Sequence, residues 1–263
     1  MEKQFHTKVT SVATDEYGHQ LFVTTENGEV AVFEASSFVQ KSSFQIGNTA
    51  FSIDTSANEY GPLVVVGCAD GSIMLFQNNR QIQQFKTSGA VLSVAFHKSK
   101  PMFAAASLDG TFSVYQKKGE SWEQVSVPVT FMGLTAVCWG SEGDMLQTLI
   151  VGGVDGVIRV YKSAGGSWEP SSAIQAHDGW VRSIAAPNVP LSHCQKIASC
   201  GDDKKVCVVK VINDRPELKE VDGVDFPGSV AWAMVDKTLV IGDTNGNTTM
   251  WKEDENGQWE RAV

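Results

Sequence analysis

The sequence predicts an all-β chain built from six repeated four-stranded units, and three observations predict it. Five segments share an apolar run, an Asn-Gly or Asp-Gly dipeptide and a second alternating run: "LFVTTENGEVAVF", "LVVVGCADGSIMLF", "FAAASLDGTFSVY", "LIVGGVDGVIRVY" and "LVIGDTNGNTTMW". A sixth, "IASCGDDKKVCVVKV", keeps the pattern with Asp203-Lys204 at its turn. Ahead of each turn a small residue followed by an apolar one marks another strand, and no stretch carries sustained helical periodicity with caps.

The elements follow in order. Asn27-Gly28, Asp70-Gly71, Asp109-Gly110, Asp155-Gly156 and Asn245-Gly246 are the dipeptides of two-residue hairpins, whose central positions both want positive φ. The preceding strands are marked by Ser11-Val12, Ser52-Ile53, Ser93-Val94, Ala136-Val137, Ser183-Ile184 and Ala231-Trp232, spaced 41 to 48 residues apart. A polar loop follows each hairpin, and in three repeats it leads into a Trp-Glu word at Trp122, Trp168 and Trp259 that predicts a fourth strand. Four strands at this period are the mark of β-propeller blades. The expected blades run approximately 8–45, 46–86, 87–127, 128–172, 173–221 and 222–263 of a single domain, 1–263. Asp214–Gly223 reads as at most one helical turn in a loop, and Ala186–Gln195 as an insertion at a blade rim.

Composition narrows the function. A hydrophobic fraction of 42% suits a globular core, and a net charge of −9 argues against a phosphate-backbone partner, which needs clustered Lys and Arg. No apolar run approaches the roughly 18 residues of a bilayer span, since Leu63–Val66 stops at Gly67. "MEKQFHTKV" has no signal-peptide core, which places the chain on the cytosolic side of any membrane it serves. Cys68, Cys138, Cys194, Cys200 and Cys207 form no C-x-x-C pair, so they read as ordinary thiols, with His193 beside Cys194 the one weak hint of a metal. His6, His19, His97, His177 and His193 fall in different repeats without metal spacing. The expectation is a noncatalytic protein with no cofactor and no metal.

The repeats resemble WD40 repeats in a worn form. Where that family has Trp at the end of the third strand, this chain has Phe33, Phe76, Tyr115, Tyr161, Val209 and Trp251. The fifth repeat keeps the family's buried hydrogen-bond chain best, in His177, Ser199 and Asp203. Within WD40 proteins, "EYGPLVVVGCADGSI", "AHDGWVRSIAAPNVPLSHCQKIASC" and "TLVIGDTNGNTTMWKEDENGQWERAV" resemble the Sec thirteen family, the six-bladed subunit shared by the COPII outer coat and the nuclear pore Y-complex.

The resemblance implies an open propeller that a helical-solenoid coat or nucleoporin subunit completes by donating a seventh blade. It implies a scaffold of the COPII coat in ER-to-Golgi transport, of the nuclear pore, or of both. The protein would then lie on the cytoplasmic face of the endoplasmic reticulum and COPII vesicles, or at the pore, and reach membrane only through its partners. The last repeat already owns an outer strand, "GQWERAV", so no strand is left to seal the ring. The expected contacts lie at the seam of the first and sixth blades: Phe5, Val9, Val12, Phe22, Val30 and Val32, with Val230, Trp232, Leu239, Ile241 and Met250. Trp180 and Arg182 are expected rim contacts, because Trp and Arg favour binding hot spots. Two other readings fit the same residues: a pore-specific or other WD40 adaptor, and a closed propeller with a ligand or catalytic site in its channel.

Overall fold

Alternation of successive side chains between the two faces of a strand governs how these strands are used. The structure, a computed structural model, describes residues 5–57, 59, 61–140, 147–187, 194–233 and 238–262, without the side chains of Ala164 and Cys194. His193 and most of the rim insertion lie outside the described residues. Twenty-four strands and no α-helix occur among them, arranged as six antiparallel sheets of four strands in sequence order.

The chain divides into two compact units, residues 1–131 and 132–263, of three sheets each. In the first unit the sheets are β1(Val9–Thr14) to β4(Gln40–Gln45), β5(Ala50–Thr55) to β8(Arg80–Lys86) and β9(Val91–Phe96) to β12(Ser121–Pro128). Their intervening strands are β2(Gln20–Thr25), β3(Glu29–Glu34), β6(Leu63–Cys68), β7(Ser72–Gln77), β10(Met102–Ser107) and β11(Thr111–Lys118). In the second unit they are β13(Leu134–Trp139) to β16(Ser167–Gln175), β17(Val181–Ala185) to β20(Arg215–Glu220) and β21(Pro227–Trp232) to β24(Trp259–Arg261). Between these run β14(Gln147–Gly153), β15(Val157–Ala164), β18(Cys194–Gly201), β19(Val206–Ile212), β22(Thr238–Asp243) and β23(Thr248–Glu253).

The two middle strands of a sheet are apolar on both faces, so each sheet can pack on two sides. Val64, Val66, Met74 and Phe76 meet Phe22, Val30 and Val32 of the first sheet, while Leu63, Val65, Ile73 and Leu75 meet Val94, Phe103 and Tyr115 of the third. In the second unit Ile150, Ile158 and Val160 meet Ile197 and Val209, and Ala198, Cys200 and Val208 meet Leu239, Ile241 and Trp251. Burying both faces explains why β6 contains no exposed position.

The small residues that marked the inner strands have a specific task. The Ser11 hydroxyl accepts the Ile53 N–H at 3.3 Å, Ser52 accepts Val94 N–H at 3.1 Å, and Ser183 accepts Val230 N–H at 3.3 Å. Each joins the inner strand of one sheet to that of the next, where a larger residue would hold the strands apart. Asp54 makes the same connection with charge: its carboxylate accepts the Phe96 N–H at 2.7 Å and the Thr55 N–H at 2.9 Å.

Two expectations need correction. The Asn-Gly and Asp-Gly hairpins place only glycine at positive φ, for example Gly28 at 79° and Gly71 at 85°. The glycine N–H bonds back three residues, as from Gly28 to the Thr25 carbonyl at 3.0 Å. This is a type I turn followed by a left-handed residue, and the Asp or Asn serves instead by accepting the N–H two residues on, as Asp70 does from Ser72 at 3.0 Å. Turns with two positive-φ residues occur elsewhere, at Asn78-Asn79 and Asn213-Asp214. The second of these closes a hairpin onto β20, so Arg215–Glu220 is a strand and not a helical turn.

Burial pushes the Asp54 carboxyl up to about 6 against the two hydrogen bonds that pull it down. A carboxyl raised on folding contributes stability that is complete below its unfolded value of 3.8 and lost as pH rises through about 6. Asp54→Asn removes that loss. Its stability relative to the native chain, measured by urea unfolding, should therefore rise by about 2 kcal/mol between pH 4 and pH 7.

Candidate functional site

Strand parity decides which apolar residues remain available to a partner. In the first sheet Phe22 pairs with Val32 and Thr24 with Val30, and this face turns toward the second sheet, where Phe22, Val30 and Val32 are buried. The opposite face carries Val12, Val23 and Ala31 in one row and Leu21 with Phe33 in another. Val23, Ala31 and Phe33 form a cluster on which Leu21 and Phe5 pack. Val12 is 58% exposed and Val9 37% exposed.

The sixth sheet sorts in the same way. Val230, Leu239 and Ile241 are buried against the fifth sheet, and Trp232 packs onto that cluster, its indole N–H donating to the Ala185 carbonyl at 3.0 Å. The opposite row is Ala231, Val240 and Met250, with Met250 43% exposed. Of the eleven residues expected at a seam, Phe5, Val12 and Met250 therefore lie on faces turned away from the neighbouring sheet of their own unit, and Val9 is exposed beside Val12. The other seven are committed to packing inside a unit. Leu21, Val23, Ala31, Phe33 and Val240 share those same faces; they alternate with the expected residues in the sequence, but a pattern of period two does not say which of two apolar faces is covered.

The rim pair is joined by electrostatics. The Arg182 guanidinium sits 4.9 Å from the Trp180 ring centre and grips the Asp202 carboxylate with Nε and Nη2, the latter at 2.7 Å. Two residues on, the Lys204 ammonium lies 4.6 Å from the Phe226 ring centre, and Phe226 is exposed. Beneath this rim the fifth sheet holds its polar chain. His177 Nδ1 contacts Asp203 Oδ1 at 3.0 Å and Nε2 contacts the Ser199 hydroxyl at 2.8 Å, with the imidazole fully buried. Burial pulls the Asp203 carboxyl up, but the Asp178 N–H, His177 and the Lys205 N–H outweigh it and hold the carboxyl below its ordinary range. The arrangement pins the loop before β17 to the turn between β18 and β19.

The Trp-Glu words begin the outer strands. Trp122 packs on Phe103 at 5.3 Å, Trp168 on Trp139 at 5.9 Å and Trp259 on Trp232 at 5.9 Å. Lys210, the residue after Val209, reaches Glu253 of the sixth sheet at 2.5 Å, and buried Lys196 reaches the same carboxylate at 2.8 Å. Cys68, Cys200 and Cys207 are free thiols, each pushed up to about 12 by burial and so unsuited to nucleophilic work. Among the described residues no group of three His, Cys, Asp or Glu side chains is placed to hold a metal ion.

The WD40 family profile (WD domain, G-beta repeat) matches residues 79–116 and 168–210. The chain is 22% identical to the protein transport protein sec13 of Emericella nidulans, over 94% of this chain and 92% of that one. It is 27% identical to the SEC13 homolog of Drosophila melanogaster over 61% of this chain, and 33% identical to the protein transport protein SEC13 homolog A of Arabidopsis thaliana over 35%. These two matches span 51% and 31% of those relatives. Among solved structures, the WD40 repeats of RRP9 superpose with a TM-score of 0.78 at 16% identity, covering 92% of this chain and 74% of that one, which speaks to fold alone. The chain is an all-β, six-bladed propeller that resembles WD40 repeats and, over most of its length, the Sec13 proteins.

The His177 chain should be structural. His177→Ala strands the Ser199 hydroxyl and the Asp203 carboxylate and should cost about 2–3 kcal/mol in urea unfolding. Arg182→Ala, which breaks an exposed pair, should cost about 1 kcal/mol or less.

Proposed function

We propose that this protein is a noncatalytic scaffold subunit of the protein-transport machinery, of the COPII coat type. In this reading a helical-solenoid partner lays a β segment against the outward apolar faces of its sheets. The observation that carries the reading is the pairing of two features. The chain matches a relative named as a protein transport protein along 94% of its length, and Val12 and Met250 stand exposed on the faces of the first and last sheets turned away from their neighbours. A stiff stack of sheets with apolar outer faces suits lattice building, because an added sheet can continue the packing already used inside each unit. Strand and sheet addition of this kind draws affinity from backbone ladders and specificity from alternate side chains. An interface of this class would bury roughly 2,000 Å² or more. Service at the nuclear pore in place of the coat, or beside it, would use the same faces with a different solenoid.

The experiment is capture from the native cell of the tagged chain and two variants, Val12→Asp and Met250→Asp, with partners identified by mass. The expected result is one large helical-solenoid protein in equal amount, depleted about tenfold or more by either variant while thermal unfolding of the chain shifts little. Val30→Ala should behave oppositely, lowering stability by about 1–3 kcal/mol because its methyl groups lie between two sheets. Retention of the partner by both Asp variants would count against the outward faces. Recovery of the chain alone would count against the scaffold itself.

A further inference from the structure

One packing rule recurs through both units and points to a socket on the first sheet. In four of the six sheets the residue near the end of the third strand faces the preceding sheet and receives an apolar side chain from that sheet's outer edge. Phe76 receives Phe44 of β4 at 4.8 Å between ring centres, and Tyr115 receives Phe85 of β8 at 4.5 Å. In the second unit Val209 shares a cluster with Ile174 of β16, and Trp251 shares one with Val221, the residue after β20. Phe33 is the equivalent residue of the first sheet, on the face turned away from the second. Phe5 packs on it edge-on at 5.8 Å, from residues 5–8, which belong to no strand.

We infer that Phe33, with Leu21, Val23 and Ala31, forms a socket for the large apolar side chain of an outer β-strand, and that Phe5 fills it in cis as an exchangeable plug. Both occupants need the same space over Phe33, so an incoming strand enters by displacing Phe5. Residues 5–8 suit a plug. They lie outside the strand ladder, they are anchored where Lys8 gives its carbonyl to the Glu26 N–H at 2.9 Å, and they carry a half-buried ring at Phe5. The partner chemistry follows: an extended segment carrying Phe or another large apolar residue, spaced as Phe44 is in β4. The identity of that partner rests on the docking reading above; the plug itself does not.

The test uses only this chain and one of its own segments. The probe is a synthetic peptide of residues 40–48, "QKSSFQIGN", whose Phe44 does this work inside the first unit. It is titrated against the native chain and Phe5→Ala, and amide resonances are followed at residues 21–33 with residues 63–77 as control. Phe5→Ala should by itself speed hydrogen exchange at 21–33 and not at 63–77, and Phe5→Leu should restore protection. The peptide should bind Phe5→Ala about tenfold or more tighter than the native chain, from the burial of one ring, and a Phe44→Ala peptide should bind neither. Unchanged exchange at 21–33 in Phe5→Ala, or equal peptide response from both chains, overturns the socket. Failure here leaves the capture experiment untouched, and failure of that capture leaves the plug standing, so the two results are separable.

Discussion

Face-to-face contact between four-stranded sheets whose middle strands are apolar on both sides is the constraint on which everything else depends. A sheet with one apolar face could end a stack, but β6 and β7 have two, so the second sheet is stable only with a neighbour on each side. Four of the largest completely buried side chains, Tyr115, Phe103, Ile73 and Leu75, sit between the second and third sheets. In the first sheet the face turned away from the second carries Val23, Ala31 and Phe33, with Phe5 packed on them.

Polar groups set the spacing that this packing needs. Hydroxyls of Ser11, Ser52 and Ser183 reach across to the next inner strand, and each satisfies an N–H that would otherwise be costly to bury. Asp54 uses a carboxylate for the same purpose, with a dependence on pH that serine does not carry. Farther out, Glu253 draws Lys196 and Lys210 of the fifth sheet toward the sixth, and its carboxyl stays below the ordinary range because the two ammonium groups outweigh the effect of burial. Such a pair is costly to break once buried, so it fixes geometry more than it adds stability.

The worn repeats show which parts of the motif physics protects. Tryptophan near the end of the third strand survives only as Trp251, yet Phe76, Tyr115 and Val209 occupy the same place between sheets, because the site asks for apolar volume and not for an indole. The His177 chain survives in one repeat, where it ties a rim loop to a hairpin turn that has Lys204 in place of glycine, at a φ of 67°. A lysine in that conformation is uncommon and needs its surroundings to hold it. The Asp203 carboxylate, accepting from Asp178 and Lys205, supplies that hold.

Much of this was legible in the chain itself. The period of the inner-strand pairs, the hairpin dipeptides and the Trp-Glu words determine six sheets of four strands, because a turn residue and an alternating pattern act locally. The tertiary structure alone decided parity. Phe22, Val30 and Val32 and their neighbours Val23, Ala31 and Phe33 are all apolar, and nothing local says that the first set meets the second sheet while Phe5 comes to lie on the second set. It also decided that Arg215–Glu220 would be a strand, since that segment gains its backbone partners only when β19 is present to supply them. Local chemistry specifies elements; which side of each element is covered depends on neighbours distant in sequence.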